Sequence, residues 1–297
     1  MSPAPIHIHL ERPDITRYLR DYLANSSRRV FTAADIKSIH KRTCERWDIP
    51  STVTTSQFIQ FLINKTELQP VYLQPEEHPS VLRYIWGEPS SYEVALSLRP
   101  KAYLSHGTAV FLHALTEQMP TTIYVNHEQT AKPRSRMPLT QERVDFAFSR
   151  PQRQSRYIFT YKKQRIVLLS GKYTNRIGVA IIQGPDGETL EATTPERTLI
   201  DIAVRPAYAG GIYQVLTAFK SAADKISPEL LIKMLKELDY VYPYHQVIGF
   251  YMERAGYPAS SFEKLRDLGL TLNFYLAHGL RNVVYQPGWR LFHPKGF

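Results

Sequence analysis

Sulfhydryl chemistry is nearly missing from this chain of 297 residues: Cys44 is its one cysteine. That count excludes an internal disulfide and any multi-cysteine metal site. Cys44 falls on the apolar face of a predicted helix and reads as a small core residue, not a nucleophile. No apolar run approaches the ~20 residues that a membrane span needs. The opening Met1-Ser-Pro-Ala-Pro-Ile-His lacks the basic-then-apolar order of a secretory signal. A reducing cytoplasm with no membrane attachment is therefore expected. There is no Gly-rich phosphate loop, no Gly-x-Ser-x-Gly elbow and no His-Glu-x-x-His.

Metal and catalytic chemistry find no anchor either. The ten histidines are scattered; His106 and His113 are separated by seven positions, too far for one ion, and His7 and His9 alternate on a short strand near the N-terminus. A metal-dependent nuclease would carry spaced carboxylates followed by lysine, but Asp186 is followed by Glu188-Thr-Leu. The expectation is a protein that is not an enzyme and holds no cofactor. A nuclease-like nucleic-acid enzyme stays as an alternative because of the charge pattern.

That pattern is lopsided. Residues 132–176 hold twelve lysines and arginines against Glu142 and Asp145, an excess of ten, which equals the +10 of the whole chain. The remainder is neutral in sum. Lys132, Arg134, Arg136, Arg143, Arg150, Arg153, Arg156, Lys162 and Lys163 are the candidate polyanion surface, with Phe146, Phe148, Tyr157, Phe159 and Tyr161 interleaved. Concentrated positive potential with aromatic faces suits nucleic acid. Strand alternation in Tyr157-Ile-Phe-Thr-Tyr lets only some of these rings face outward.

Hydrophobic spacing predicts an α+β protein in two parts. Residues 1–88 read as three helices and a hairpin: 14–23, a helix capped by Thr32 with Ile36, Ile39, Thr43 and Trp47 on one face, 54–65, then strands at 68–73 and 81–86. That order is the order of a winged helix-turn-helix. Residues 89–297 read as a mixed α+β domain with a possible subdivision near 206–211. Its predicted helices are 92–98, 102–115, 141–148, 212–223, 228–238, 244–255 and 260–268. Its predicted strands are 122–126, hairpins 157–161 with 165–169 and 178–183 with 188–192, and a terminal hairpin 282–286 with 289–292.

The third helix carries the most telling local pattern. At 100° per residue Ser56, Gln57, Gln60 and Asn64 share one arc, while Phe58, Ile59, Phe61 and Leu62 take the other side. Amide side chains present a donor and an acceptor together, the pair that an adenine edge offers in the major groove. Ser56, Gln57, Gln60 and Asn64 are the candidate base readers. Thr54, Thr55 and Lys65, at the helix ends, are the candidate phosphate contacts. Glu76 and Glu77 at the hairpin tip would repel phosphate, so this tip is not expected to enter a minor groove. Glu196, Arg197 and Asp201 lie close together, but local helix physics accounts for them: a capping box from Thr193 to Glu196, Pro195 in the first turn, and an Arg197–Asp201 pair. Tyr240, Tyr242, Tyr244 and Tyr251 suit either a core or a protein interface.

Two segments, in order, carry a family resemblance. The run from Tyr103 through Ser105-His-Gly-Thr-Ala-Val to Val125 resembles the middle of the AbiEi antitoxin family, linked to abortive infection, as does Thr194-Pro-Glu-Arg-Thr-Leu-Ile-Asp followed by Arg205-Pro and Gly210-Gly211. The resemblance covers most of the chain. It implies a type IV toxin–antitoxin component whose N-terminal winged helix binds operator DNA, with inverted repeats, and represses its own operon. It further implies phage defence in which the C-terminal part counters a nucleotidyltransferase toxin, without a stable complex between the two. A solitary transcriptional regulator without a toxin is the alternative.

Overall fold

The computed structural model describes residues 10, 12–50, 52–75, 77–133 and 137–297. His7, His9, Glu76, Arg134 and Arg136 lie outside the described residues. The fold is mixed α+β.

The N-terminal elements are α1 (Pro13–Ala24), β1 (Val30–Phe31), α2 (Ala33–Trp47), α3 (Thr55–Lys65), β2 (Leu68–Pro75) and β3 (Val81–Trp86). Proline in the first turn of α1 costs no intrahelical bond, and Ile15, Leu19 and Leu23 are fully buried at helical spacing. Thr32 caps α2 with a reciprocal box to Asp35, and Asp48 in the left-handed region ends the helix. Cys44 is half-buried against this core, and burial, aided by the neighbouring Glu45 charge, pushes its thiol upward in pKa.

Next come α4 (Ser91–Leu96), β4 (Tyr103–Leu104), α5 (His106–Leu112), β5 (Thr122–Glu128), α6 (Gln141–Phe148), β6 (Ile158–Tyr161), β7 (Gln164–Gly171), β8 (Val179–Gln183) and β9 (Thr189–Thr193). The single helix expected over 102–115 is thus corrected to a strand and a shorter helix. Tyr103 and Leu104 pair with Asn126 and Val125, Ser105 is extended, and His106 takes a positive φ of 51°, so no helix can run through this point. The capping box expected from Thr193 shifts by one residue. Thr194 is the cap of α7 (Pro195–Val204), while Thr193 sits in β9 and bonds the Thr198 hydroxyl at 2.8 Å. Glu196 instead accepts from the Ser227 N–H at 3.2 Å.

A 3-10 turn at Pro206–Ala209 leads to α8 (Ile212–Ser221), α9 (Pro228–Leu238), α10 (Tyr244–Arg254) and α11 (Ala259–Arg266). The chain closes with β10 (Phe274–Tyr275), β11 (Val283–Gln286) and β12 (Leu291–Pro294), where β11 and β12 form the expected hairpin and β10 adds in parallel. Trp289, in the intervening turn, is fully buried at the centre of the C-terminal helical core.

The nine strands β1–β9 form one sheet in the order β1-β3-β2-β6-β7-β5-β4-β9-β8. The β2–β3 hairpin does not stand free. β2 runs on to Pro75 and pairs with β6, Gln74 opposite Thr160 and Pro75 opposite Phe159. One sheet face carries the α1–α3 core at the β1-β3-β2 end, through Leu68, Leu82, Tyr84 and Trp86. The other face buries Val30, Leu73 and Ile85 together with Leu104, Ile123, Phe159, Ile166 and Ala192 beneath α4. A single hydrophobic layer therefore joins the N-terminal strands to the rest.

Candidate nucleic-acid interface

α3 is held to α1, α2 and β2 through Phe58, Phe61 and Leu62, all buried. His40 of α2 stacks on Phe58 at 4.7 Å, with Nδ1 at 3.3 Å from the Thr55 hydroxyl. Burial lowers the His40 pKa and favours its neutral form. Ser56, Gln60 and Asn64 are exposed on the opposite side, as the spacing predicts. Gln60 Nε2 donates to Asn64 Oδ1 at 3.1 Å. That bond fixes two flexible side chains against each other and leaves the Gln60 oxygen and the Asn64 amino group for an outside partner.

Gln57 is placed differently from its three companions. It is half-buried, and its Oε1 accepts from the Thr54 N–H and the Thr54 hydroxyl, both at 2.8 Å, closing a capping box. Only its amino group remains to face outward. The same box occupies the Thr54 donors, so the backbone N–H groups of Thr55 and Ser56 are the ones open at the helix start. Lys65 is exposed in the last turn.

The basic stretch divides into cations that serve the fold and cations that face solvent. Lys172 donates to the Leu238 and Asp239 carbonyls at the end of α9, at 2.8 and 2.7 Å, and Arg176 pairs with Glu191. Of the candidate set, Lys162 pairs with Glu88, Lys132 donates to Gln129 Oε1 at 2.7 Å, and Arg143 donates to the Pro138 carbonyl at 2.7 Å. Arg150 lies over the exposed Phe146 ring at 4.3 Å. Arg153 and Arg156 are exposed on a backbone that is pinned: Gln152 donates to the Val204 carbonyl, Arg205 donates to the Arg153 carbonyl, and the Ser155 N–H donates to the Tyr208 hydroxyl. Lys162 and Lys163 form the β6–β7 turn, both at positive φ.

Of the interleaved aromatics, Phe148, Phe159 and Tyr161 are buried while Phe146 and Tyr157 are exposed. Tyr157 is nonetheless covered on one side, because His78 from the β2–β3 turn stacks on it at 4.1 Å and 9°. With Gln74 and Pro75 paired to β6, this stack docks the hairpin end onto the second half of the molecule. Nothing local in the sequence signals that contact, since the partners are 79 positions apart.

A second constellation is buried. The segments that carry the family resemblance come together on one face of the sheet. Arg197 and Asp201 form a 2.8 Å pair with side chains 5 and 7% exposed, and Arg197 also donates to the Ile177 carbonyl. Burial opposes the Arg197 charge, but Asp201 and the neighbouring Tyr240 and Tyr103 hold it firmly protonated. Beside it Glu128 accepts from the Thr174 N–H at 3.0 Å, the Thr174 hydroxyl, the Arg176 N–H at 3.2 Å and the Tyr103 hydroxyl at 3.3 Å. Burial would raise the Glu128 pKa, yet these donors outweigh it and hold the carboxyl below its usual range. His106 packs edge-on against Tyr208 at 5.4 Å, and burial pushes it down to about 4, hence neutral. The partners of these groups show a scaffold: they tie α5, α7, β4 and β5 together. Among the described residues no group of three or more His, Cys, Asp or Glu side chains is arranged to hold a metal, and no helix is long and apolar enough to cross a membrane.

The fold defines a class before any relative is considered: three N-terminal helices and a large mixed sheet fused to a helical C-terminal layer. No family model matches the sequence, and no curated protein matches it. By structure, the chain is similar to the crystal structure of the RV2827C protein from Mycobacterium tuberculosis, with a TM-score of 0.54 and 16% identity over 94% of this chain and 91% of that one. At this identity the likeness concerns the fold alone.

Proposed function

We propose that this protein is a DNA-binding autorepressor of a type IV toxin–antitoxin system, as its resemblance to the AbiEi family implies. The observation that carries the DNA reading is the exposed face of α3. It is uncharged except at Lys65, and it offers an acceptor on Gln60 beside a donor on Asn64. The order α1, β1, α2, α3, β2, β3, with β1 paired to β3, supports a winged helix-turn-helix in this half. Its hairpin end is docked on β6, so α3 is the reader in this proposal. Arg150, Arg153 and Arg156 lie just before β6, the strand beside β2, and supply phosphate contacts alongside it. The antitoxin role, with the nucleotidyltransferase toxin as functional partner, rests on the residues of the resemblance.

Binding to the DNA immediately upstream of the gene, followed by fluorescence anisotropy, tests the reading. Gln60→Ala with Asn64→Ala is expected to weaken that site by about 1–3 kcal/mol, roughly 5- to 150-fold, and to leave scrambled DNA unchanged. Equal losses on both DNAs would remove α3 as the base reader. In the same assay, Arg150, Arg153 and Arg156 changed together to Gln should flatten log K against log[salt] by roughly 0.9 for each lost phosphate contact. An unchanged slope would take this surface out of the interface. The toxin arm predicts a nucleotidyltransferase reading frame beside this gene and growth rescue when the two are co-expressed; absence of either would overturn it.

A further inference from the structure

The two edges of the nine-stranded sheet are treated differently. At one end β1 has only two residues, both buried, so it offers no template for another strand. At the other end β8 has five, Val179-Ala-Ile-Ile-Gln, with no charge and no proline. Exposed edges of soluble proteins usually carry lysine, proline or a bulge that discourages further pairing. β8 has none of these, and Ile181 at its centre is 71% exposed.

Hydrogen-bond parity fixes what this edge presents. The Thr194 N–H donates to the Gly178 carbonyl and the Gly184 N–H to the Glu188 carbonyl. In an antiparallel ladder bonded pairs recur every second residue. Positions 178, 180, 182 and 184 therefore bond inward to β9, and Val179, Ile181 and Gln183 direct their backbone groups outward. Val179 turns its N–H back to the Arg176 carbonyl. That leaves, directed outward, the Val179 carbonyl and both backbone groups of Ile181 and of Gln183.

We infer that β8 is the contact between two copies of this chain, paired antiparallel about a twofold axis at Ile181. In that register Ile181 exchanges both backbone bonds with its counterpart, and the Gln183 N–H of each copy reaches the Val179 carbonyl of the other. The two exposed isoleucines become direct cross-strand neighbours and cover one another. The flanks suit a second copy as well. Lys101 is exposed at the start of β8, its carbonyl accepting from Arg176, whose own charge is paired with Glu191, while Asp186 is exposed in the turn just after the strand. Antiparallel pairing brings the basic end of one copy to the acidic end of the other, a self-complementary arrangement of the kind twofold interfaces require. The inference concerns the free protein and stands apart from the DNA reading.

Sedimentation velocity on the full chain from about 1 to 100 µM, a range bracketing weak strand-edge pairing, provides the test. The expected result is a shift from the 34.3 kDa chain to twice that mass as concentration rises. Ile181→Lys and Ile181→Glu should each stay monomeric at the top concentration with unchanged circular dichroism, because the side chain touches little within its own copy. An equimolar mixture of the two should regain the doubled mass by pairing opposite charges. A wild-type chain that stays monomeric throughout would overturn the inference. So would dimers of the Lys and Glu variants as tight as wild type, or a mixture that does not pair.

Discussion

Asp201→Ala is expected to cost about 3–5 kcal/mol, the usual range for breaking a buried pair by removing one partner. For a chain of this size that lowers Tm by on the order of 10 °C. The physical cause is the group left behind. Arg197 is 5% exposed, its other acceptors are the Ile177 carbonyl and the Thr174 hydroxyl, and neither carries charge. The companion variant Arg197→Met with Asp201→Leu separates lost attraction from an orphaned charge. An apolar pair of similar volume should retain most of the stability, since the double change leaves no buried charge unpaired. Thermal melts of the singles and the double give the comparison. Additive losses would mean that the two side chains contribute independently and that isolation of Arg197 is unimportant.

The second large effect sits in the C-terminal core. Trp289 is fully buried, donates its indole N–H to Glu253, and is flanked by Arg266 at 4.6 Å and Phe262 at 6.0 Å. Its ring lies directly on Gly249 of α10, where any Cβ would overlap it. Trp289→Ala is expected to cost about 3–5 kcal/mol through lost burial and the cavity left. Gly249→Ala in the wild type should cost about 1–3 kcal/mol by overpacking, despite alanine's better helix propensity. In the Trp289→Ala background the sign should reverse: the methyl enters vacated space and the helix gains about 1 kcal/mol. Urea melts of the four proteins test this, and a Gly249→Ala penalty of equal size in both backgrounds would refute the steric account.

Local periodicity made many of the elements readable. The stripe Ile15, Leu19, Leu23 and the N-cap at Thr32 follow from helix geometry alone, and the structure has both; the reciprocal bond from Asp35 is an addition. The hairpin β11–β12 followed from Pro287-Gly288. The break at Ser105 was not readable, because Tyr103-Leu104 becomes a strand only when β5 and β9 are there to pair with it. The same holds for the docking of His78 on Tyr157 and for Glu128 as a collector of four donors. On α3, spacing separated the apolar face from the amide face, but it could not show that Gln57 turns back to cap its own helix. Nor could charge counting separate Arg153 and Arg156, which face solvent, from Lys172 and Arg176, which serve α9 and β9.

β2 belongs to two cores at once. Its residue Leu68 packs under α1–α3, while Leu73 packs under α4, and its far end is laced to β6. Severing the chain after residue 88 would strip water protection from Val30, Leu73 and Ile85 and leave β2 with a raw edge. The N-terminal part thus resembles a hand whose wrist is set in plaster. Any tilt of α3 must carry the large sheet with it, so the orientation of this helix is inherited from the slab rather than adjusted by a tether.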